Sequence, residues 1–417
     1  MSTSFLGSPH RTAKSKIPKT NSIADLISKV TIKPDETHVF LEKILYNHVI
    51  HEVIFRYLSP LELLRLCRTC RLARTLIQAF MKRTFNINRF LERYFADPVA
   101  FRSLQARTGT LVSGSSALQF LARLFYPESD LDLYVQSACD KEVMDWLLQE
   151  GYVFVPNAKQ PRDLDEAIAV AKEGAFRGEF FMVNPHDEYE DDSIEAVYTF
   201  TKQIDRGSSV TKLKVQCIVA RQATMHVILS FHSTCVMNVI SHNMAYCLYP
   251  RATLHDNRTL VCGSELSPGR PEALKKYEGR GYEVVRIKNH TIPSSLASFP
   301  HSGSRYMGDS MCWTVPLDTS GIQGRRHYPE KHPVVSHDPI VVASWFLAIG
   351  ADSIHGAEMA FNVFAHNALY FSYVLDYGVY DDDMARMVVQ FSRERRLGDQ
   401  EFMEKLISSR PQKLIKK

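Results

Sequence analysis

The chain has 417 residues, 45% of them apolar and 23% charged, so it can bury a sizeable core and is neither a disordered tail nor a fibre. That length suggests two or three structural units. A formal charge of +4 is small for a chain of this length and gives no argument for a polynucleotide or a membrane as a general partner; any basic binding surface is local.

The eight cysteines lie scattered through apolar segments, and no apolar signal region follows Met1-Ser2-Thr3-Ser4, which points to a reducing intracellular compartment, cytoplasmic or nuclear. No membrane partner is expected, because the longest apolar run near the C-terminus, Ile340 to Ile349, is too short to span a bilayer.

Residues 1–33 are rich in Ser, Thr, Lys and Pro without an apolar period and read as a disordered basic arm, with Arg11, Lys14, Lys16 and Lys19 solvated. Across residues 39–95 the pattern becomes helical. Ile44, Leu45, Val49, Val53, Ile54 and Leu58, then Leu61, Leu64, Leu66, Leu72, Leu76 and Phe80, fall mostly three and four apart. Ser59-Pro60 separates two helices, with Ser59 as cap and Pro60 in the first turn, where its missing N–H costs nothing. Cys67 and Cys70 form a CxxC without a second ligand pair at zinc spacing, and read as core cysteines.

From residue 100 to about 280 short strands alternate with helices, so the fold class expected is α/β (α+β) with a mixed sheet. Thr110-Leu111-Val112-Ser113 reads as a strand entering the turn Gly114-Ser115-Ser116, after which Leu118, Leu121, Ala122 and Phe125 take helical spacing, with Ser115 as cap. A glycine turn at a helix start offers free N–H groups to a phosphate. In Ser129-Asp130-Leu131-Asp132-Leu133-Tyr134-Val135, strand alternation sends Leu131, Leu133 and Val135 to one face and both aspartates to the other. Two carboxylates on one spot suit magnesium, which takes oxygen ligands and bridges to nucleotide phosphates.

Asp187 to Asp192 reads as an acidic loop, residues 281–336 as a loop-rich extension, and residues 337–417 as a C-terminal helical region with helices at 340–349, 357–375 and 381–396. Basic clusters at Lys275-Lys276, Arg325-Arg326, Arg393 to Arg396 and Lys413 to Lys417 are where a nucleic acid would be met, although solvated faces commonly look the same.

Two resemblances follow from these residues. The row from Ile44 to Leu76, centred on Val53 to Arg71, resembles an F-box. That implies a helical trio docking the Skp-type adaptor of cullin ubiquitin ligases through Ile54, Leu58, Leu61 and Leu64. The Gly-Ser turn followed by an Asp-apolar-Asp strand resembles the nucleotidyltransferase superfamily over Thr110 to about Pro250. That resemblance implies a nucleoside triphosphate held at Gly114, Ser115 and Ser116, and magnesium held by catalytic Asp130 and Asp132, for transfer to a hydroxyl. The family's third carboxylate comes from a later strand, and Lys212 to Val219 offers Gln216 instead, which cannot act as a base. His232, Thr234 and Asn238, on the strand-like Phe231 to Asn238, are the other polar candidates for that face. The alternatives are thus an active transferase, a degenerate relative, or a non-catalytic ubiquitin-ligase adaptor.

Overall fold

The structure is a computed structural model that describes residues 40–177, 193–205, 210–263, 269–287, 294–324, 339–349, 356–364 and 371–376. The basic arm, the acidic loop at 187–192, the helix expected at 381–396 and the two basic clusters after residue 390 lie outside the described residues, as does Arg325-Arg326. Two compact units result, the first ending at Phe80 with Gly279–Gly281 grouped with it, the second built from the rest.

The first unit is helical: a π-helical turn at Phe40–Leu45, then α1 (His48–Tyr57), α2 (Pro60–Cys67) and the start of α3 (Arg71–Thr84). Local chemistry sets each start. Asn47 caps α1 by accepting from the N–H groups of Val49 and Ile50 at 3.1 and 3.3 Å. Ser59 and Glu62 form a reciprocal capping box on α2, with Pro60 in its first turn, as the sequence predicts. The core gathers Leu45, Phe55, Leu58, Leu63, Ala73, Ile77 and Phe80.

The second unit is built on one eight-stranded mixed sheet. In chain order its elements are α4 (Ile87–Leu91), α5 (Pro98–Thr108), β1 (Leu111–Val112), α6 (Gly114–Ala122), β2 (Leu131–Gln136), α7 (Asp140–Gln149), β3 (Val153–Val155), α8 (Leu164–Arg177), β4 (Ile194–Asp205), β5 (Val210–Ala220), α9 (Thr224–Leu229), β6 (Asn238–Ile240) and β7 (Met244–Cys247). There follow β8 (Arg258–Leu260), α10 (Arg270–Gly279), β9 (Glu283–Val285), β10 (Arg305–Tyr306), β11 (Trp313–Pro316), β12 (Ser344–Ile349), β13 (Ala357–Ala360), β14 (Asn362–Phe364) and β15 (Tyr373–Leu375). The large sheet runs β11-β7-β6-β1-β2-β5-β4-β3, antiparallel throughout except where β2 meets β5.

Side-chain alternation gives the sheet two different faces. One carries Val112, Leu131, Leu133, Val135, Tyr198, Phe200, Val215 and Cys217, buried together with residues of α5, α7 and α8 across the width of the sheet. On the other face the buried layer covers Leu111, Tyr134, Ile218, Val239 and Tyr246, together with residues of α9 and β12. That layer stops short. Asp132, Gln216, Thr199 and Thr201 are only half-buried, and Val153 and Val155 are exposed.

Several expectations are corrected here. Residues 344–349, 357–360, 362–364 and 373–375 are strands, not C-terminal helices. Short apolar runs fit either period, and here β12 pairs with β10 and β13 while β14 pairs with β15. The loop-rich extension at 281–336 contributes β11 to the main sheet, a pairing with β7 that no local pattern announces. Phe231 to Asn238 is a 3-10 turn at Thr234–Val236 leading into β6, not a strand. Phe85, Ile87, Leu91, Tyr94 and Phe95, taken with the first helical segment in the sequence, belong to the core of the α/β unit. Finally, α6 starts at Gly114, so Ser115 lies inside the helix and does not cap it.

Candidate functional site

Two places gather the residues singled out by the sequence. In the helical unit, α1 is apolar on more sides than its own core requires. His51 and Phe55 face inward: His51 donates from Nδ1 to the Leu45 carbonyl at 2.7 Å and stacks on Phe55, whose ring meets Phe80 edge-on with centroids 5.5 Å apart. On the opposite side Val49, Ile50, Val53 and Tyr57 lie within about 100° of one another around the helix axis. All four are exposed, Tyr57 by 75%, and so is Leu64 on α2. An apolar stripe left in water while the other face is fully packed is the sign of a docking surface.

Of the four docking residues expected from the sequence, Leu64 is exposed, Ile54 and Leu61 are half-buried, and Leu58 is buried in the core. The exposed apolar residues of α1 outside that expectation are Val49, Ile50, Val53 and Tyr57. Their signal was present in the sequence: α1 holds six apolar residues in ten, more than one buried stripe needs.

Residues 47–84 match the F-box domain family. This segment is an F-box domain. Its bounds enclose the three helices and end before Phe85, where the α/β core begins. Comparison with curated proteins and with solved structures returns no match. The same comparisons give no support to a nucleotidyltransferase kinship of the α/β unit.

The second place is the turn between β1 and α6. Gly114 has φ +62°, and a Cβ there would lie 3.0 Å from Asp132 Oδ2, so the backbone approaches this carboxylate as closely as only glycine allows. Ser116 donates to the Asp130 carbonyl at 2.7 Å, and the Ser115 and Ser129 hydroxyls are 2.8 Å apart. Tyr94 donates to the Ser129 carbonyl at 3.2 Å. Its phenol is pushed up to about 12, chiefly by burial and further by the charges of Asp132 and Asp130. The structure thus brings Gly114, Ser115, Ser116, Asp130 and Asp132 together.

Two side chains of β5 complete the cluster. Lys214 on β5 donates to Asp130 Oδ2 at 2.7 Å, so an ammonium already neutralises one carboxylate. Gln216 stands in register with Asp132 on the adjoining strand, where it presents a neutral amide. Among the described residues no group of three or more His, Cys, Asp or Glu could hold a metal ion. The described residues thus offer two carboxylates here, one of them paired with an ammonium, and a neutral amide beside the other.

His232 is not part of this cluster. It packs against the Tyr277 ring, its carbonyl accepts from Cys262 N at 2.9 Å, and its Nδ1 is buried without a hydrogen-bond partner. Burial, with the charges of Arg270 and Lys276, brings its pKa down to about 3, so it is neutral. Thr234 accepts from Leu260 N and Asn238 donates to the Cys235 carbonyl, both as internal struts. All eight cysteines are free thiols, and among the described residues no helix is long and apolar enough to cross a membrane.

Proposed function

We propose that this chain is a substrate adaptor of a Skp-cullin ubiquitin ligase, in which the F-box domain docks a Skp-type adaptor and the α/β unit carries the recognition surface for a target. The observation behind this reading is the stripe Val49, Ile50, Val53, Tyr57 and Leu64, exposed on a domain whose core is complete without it. Large apolar and aromatic side chains at such a site contribute about 2 kcal/mol each as interface anchors. The test is capture of a purified Skp-type protein by the full chain. Val53→Glu with Tyr57→Glu reduces capture more than about 100-fold, while the circular dichroism of the protein stays the same. Unchanged capture removes the docking assignment.

A second reading is supported by the approach of Gly114 to Asp132. It takes the α/β unit as a degenerate nucleotidyltransferase relative that keeps the turn without turnover, a reading supported by the pairing of Lys214 with Asp130 and by Gln216, not a carboxylate, in register with Asp132. Purified protein given magnesium and labelled nucleoside triphosphate then incorporates no more label than Asp130→Asn or Asp132→Asn. Incorporation by the wild type that both substitutions abolish would establish an active enzyme instead.

A further inference from the structure

The net positive charge of the chain is concentrated in the F-box domain. Residues 47–84 contain seven arginines and lysines against two glutamates, a net +5, whereas the whole chain carries +4. The two signs are placed differently. Arg56, Arg65, Arg68, Arg71, Arg74, Lys82 and Arg83 are all exposed, while Glu52 and Glu62 are half-buried, and Glu62 is turned back onto its own helix, accepting from Ser59 N at 2.7 Å. Among the described residues, Arg56, Arg65, Arg68, Arg71 and Arg74 pair with no carboxylate.

Two of these arginines border the exposed apolar stripe. On α1, Arg56 lies about 20° from Val49 and about 60° from Val53 around the helix axis. On α2, Arg65 lies about 40° from Leu61 and follows Leu64 in the chain. Arg68, Arg71 and Arg74 stand three apart beyond them, and α3 carries no acidic residue. Like charges crowded on one small domain repel one another, and the repulsion is relieved when an opposite charge is brought near. An apolar stripe with a uniformly positive margin is complementary to a groove that is apolar along its floor and acidic along its edge. A polynucleotide matches the charge but leaves Val49, Ile50 and Val53 in water, because its outer surface is anionic and its bases stack on aromatic rings. An anionic membrane matches both features, but the family of residues 47–84 favours a protein.

We infer that the Skp-type partner meets this domain with an apolar groove edged by carboxylates, that Arg56 and Arg65 pair with that edge, and that Arg68, Arg71 and Arg74 draw it in before contact. The inference rests on the adaptor reading for the partner and adds the chemistry of the partner's docking face. The two kinds of residue then have separate tasks. Desolvated apolar anchors such as Val53 and Tyr57 set how slowly the complex comes apart. Charges at the margin set how fast it forms, by steering within the Debye length, roughly 8 Å at physiological salt.

The experiment measures association and dissociation rates of the full-length chain with a purified Skp-type protein from about 50 to about 500 mM NaCl. The association rate of wild type, which needs no variant, falls at least about 10-fold over that range. Arg56→Gln/Arg65→Gln lowers it at least about 3-fold at low salt and flattens its salt dependence, with dissociation changed by less than about 2-fold. Arg56→Lys/Arg65→Lys keeps the charge and keeps the rate, and Lys275→Gln/Lys276→Gln on α10 removes as much charge elsewhere without effect. Matching urea midpoints show that the variants are folded. An association rate indifferent to salt or to Arg56 and Arg65, or lowered as much by Lys275→Gln/Lys276→Gln, overturns the inference and leaves the docking assignment standing. No capture at any salt removes both. Binding of single-stranded RNA or of phosphatidylserine vesicles that is lost in Arg56→Gln/Arg65→Gln, while Skp capture is unchanged, would give the arginines to another polyanion and also overturns it.

Discussion

The F-box domain and the α/β unit both leave apolar side chains in water, but from different structural positions. In the first, a helix with an already satisfied inner face presents a second stripe, so core and exposed apolar residues alternate along ten residues of sequence. In the second, a sheet covered fully on one face and partly on the other leaves its surplus at one edge. The contrast teaches that docking capacity in a helix can be separated from stability residue by residue, because neighbours 100° apart around the axis have independent surroundings. In a sheet the same separation is made by strand parity.

The sharpest test of that separation compares Phe55→Ala with Tyr57→Ala, two positions apart on α1. Phe55 is wholly buried against His51 and Phe80, so its truncation costs about 3–5 kcal/mol and unfolds the F-box domain. Tyr57→Ala leaves the urea midpoint within about 0.5 kcal/mol of wild type while weakening Skp capture. Equal stability losses in the two variants would erase the distinction between core face and docking face.

A somewhat smaller effect probes the interior of the α/β unit by pH. The folded pKa of His232 is about 3, against about 6.5 in an unfolded chain. The unfolded state therefore binds a proton that the folded state refuses as pH falls below about 6.5. Stability contributed by neutral His232 is complete above that pH and is lost toward pH 3 at up to about 1.4 kcal/mol per pH unit. In His232→Gln that part of the slope disappears from urea midpoints measured between pH 7 and 4. An unchanged slope would show that the ring is already accessible to protons.

The residues that were legible in the sequence owe it to short-range chemistry. Ser59, Pro60 and Glu62 announce a helix start because all partners of the cap lie within four residues. The meeting of Gly114 with Asp132 was readable because a strand, a tight turn and a helix return the chain to the next strand with few alternatives. What was not legible depends on distant partners. Trp345 reads equally well in a helix or a strand until Phe346 to Ile349 find Ala357 to Ala360, and Trp313 gives no sign that it will close the far edge of the sheet. Leu58 and Tyr57 belong to one apolar pattern, and only the packed domain shows that the first is core and the second is surface. The Lys214 partner of Asp130 is likewise invisible without the parallel register of β2 and β5, since 84 residues separate them.

Gly114→Ala is expected to cost about 2 kcal/mol, combining the left-handed backbone with crowding of Asp132. In an Asp132→Ala background only the backbone part, about 1 kcal/mol, remains, and a double-mutant cycle on urea midpoints measures the difference. Additive losses would mean that the turn and the carboxylate do not press on each other, which would also undercut the degenerate-transferase reading.

The smallest expected effect tests what Lys214 does to the two aspartates. The Lys214–Asp130 pair is partly exposed on both sides, so Lys214→Ala costs at most about 1 kcal/mol and the loss shrinks with added salt. Its chemical consequence is larger than its stability cost. With the ammonium gone, Asp130 and Asp132 are carboxylates without the cation that held one of them, and millimolar magnesium then raises the melting temperature of Lys214→Ala by mass action while leaving wild type unmoved. If magnesium shifts both proteins equally, the wild-type protein takes the ion with the ammonium in place, and Lys214 is no obstacle to it.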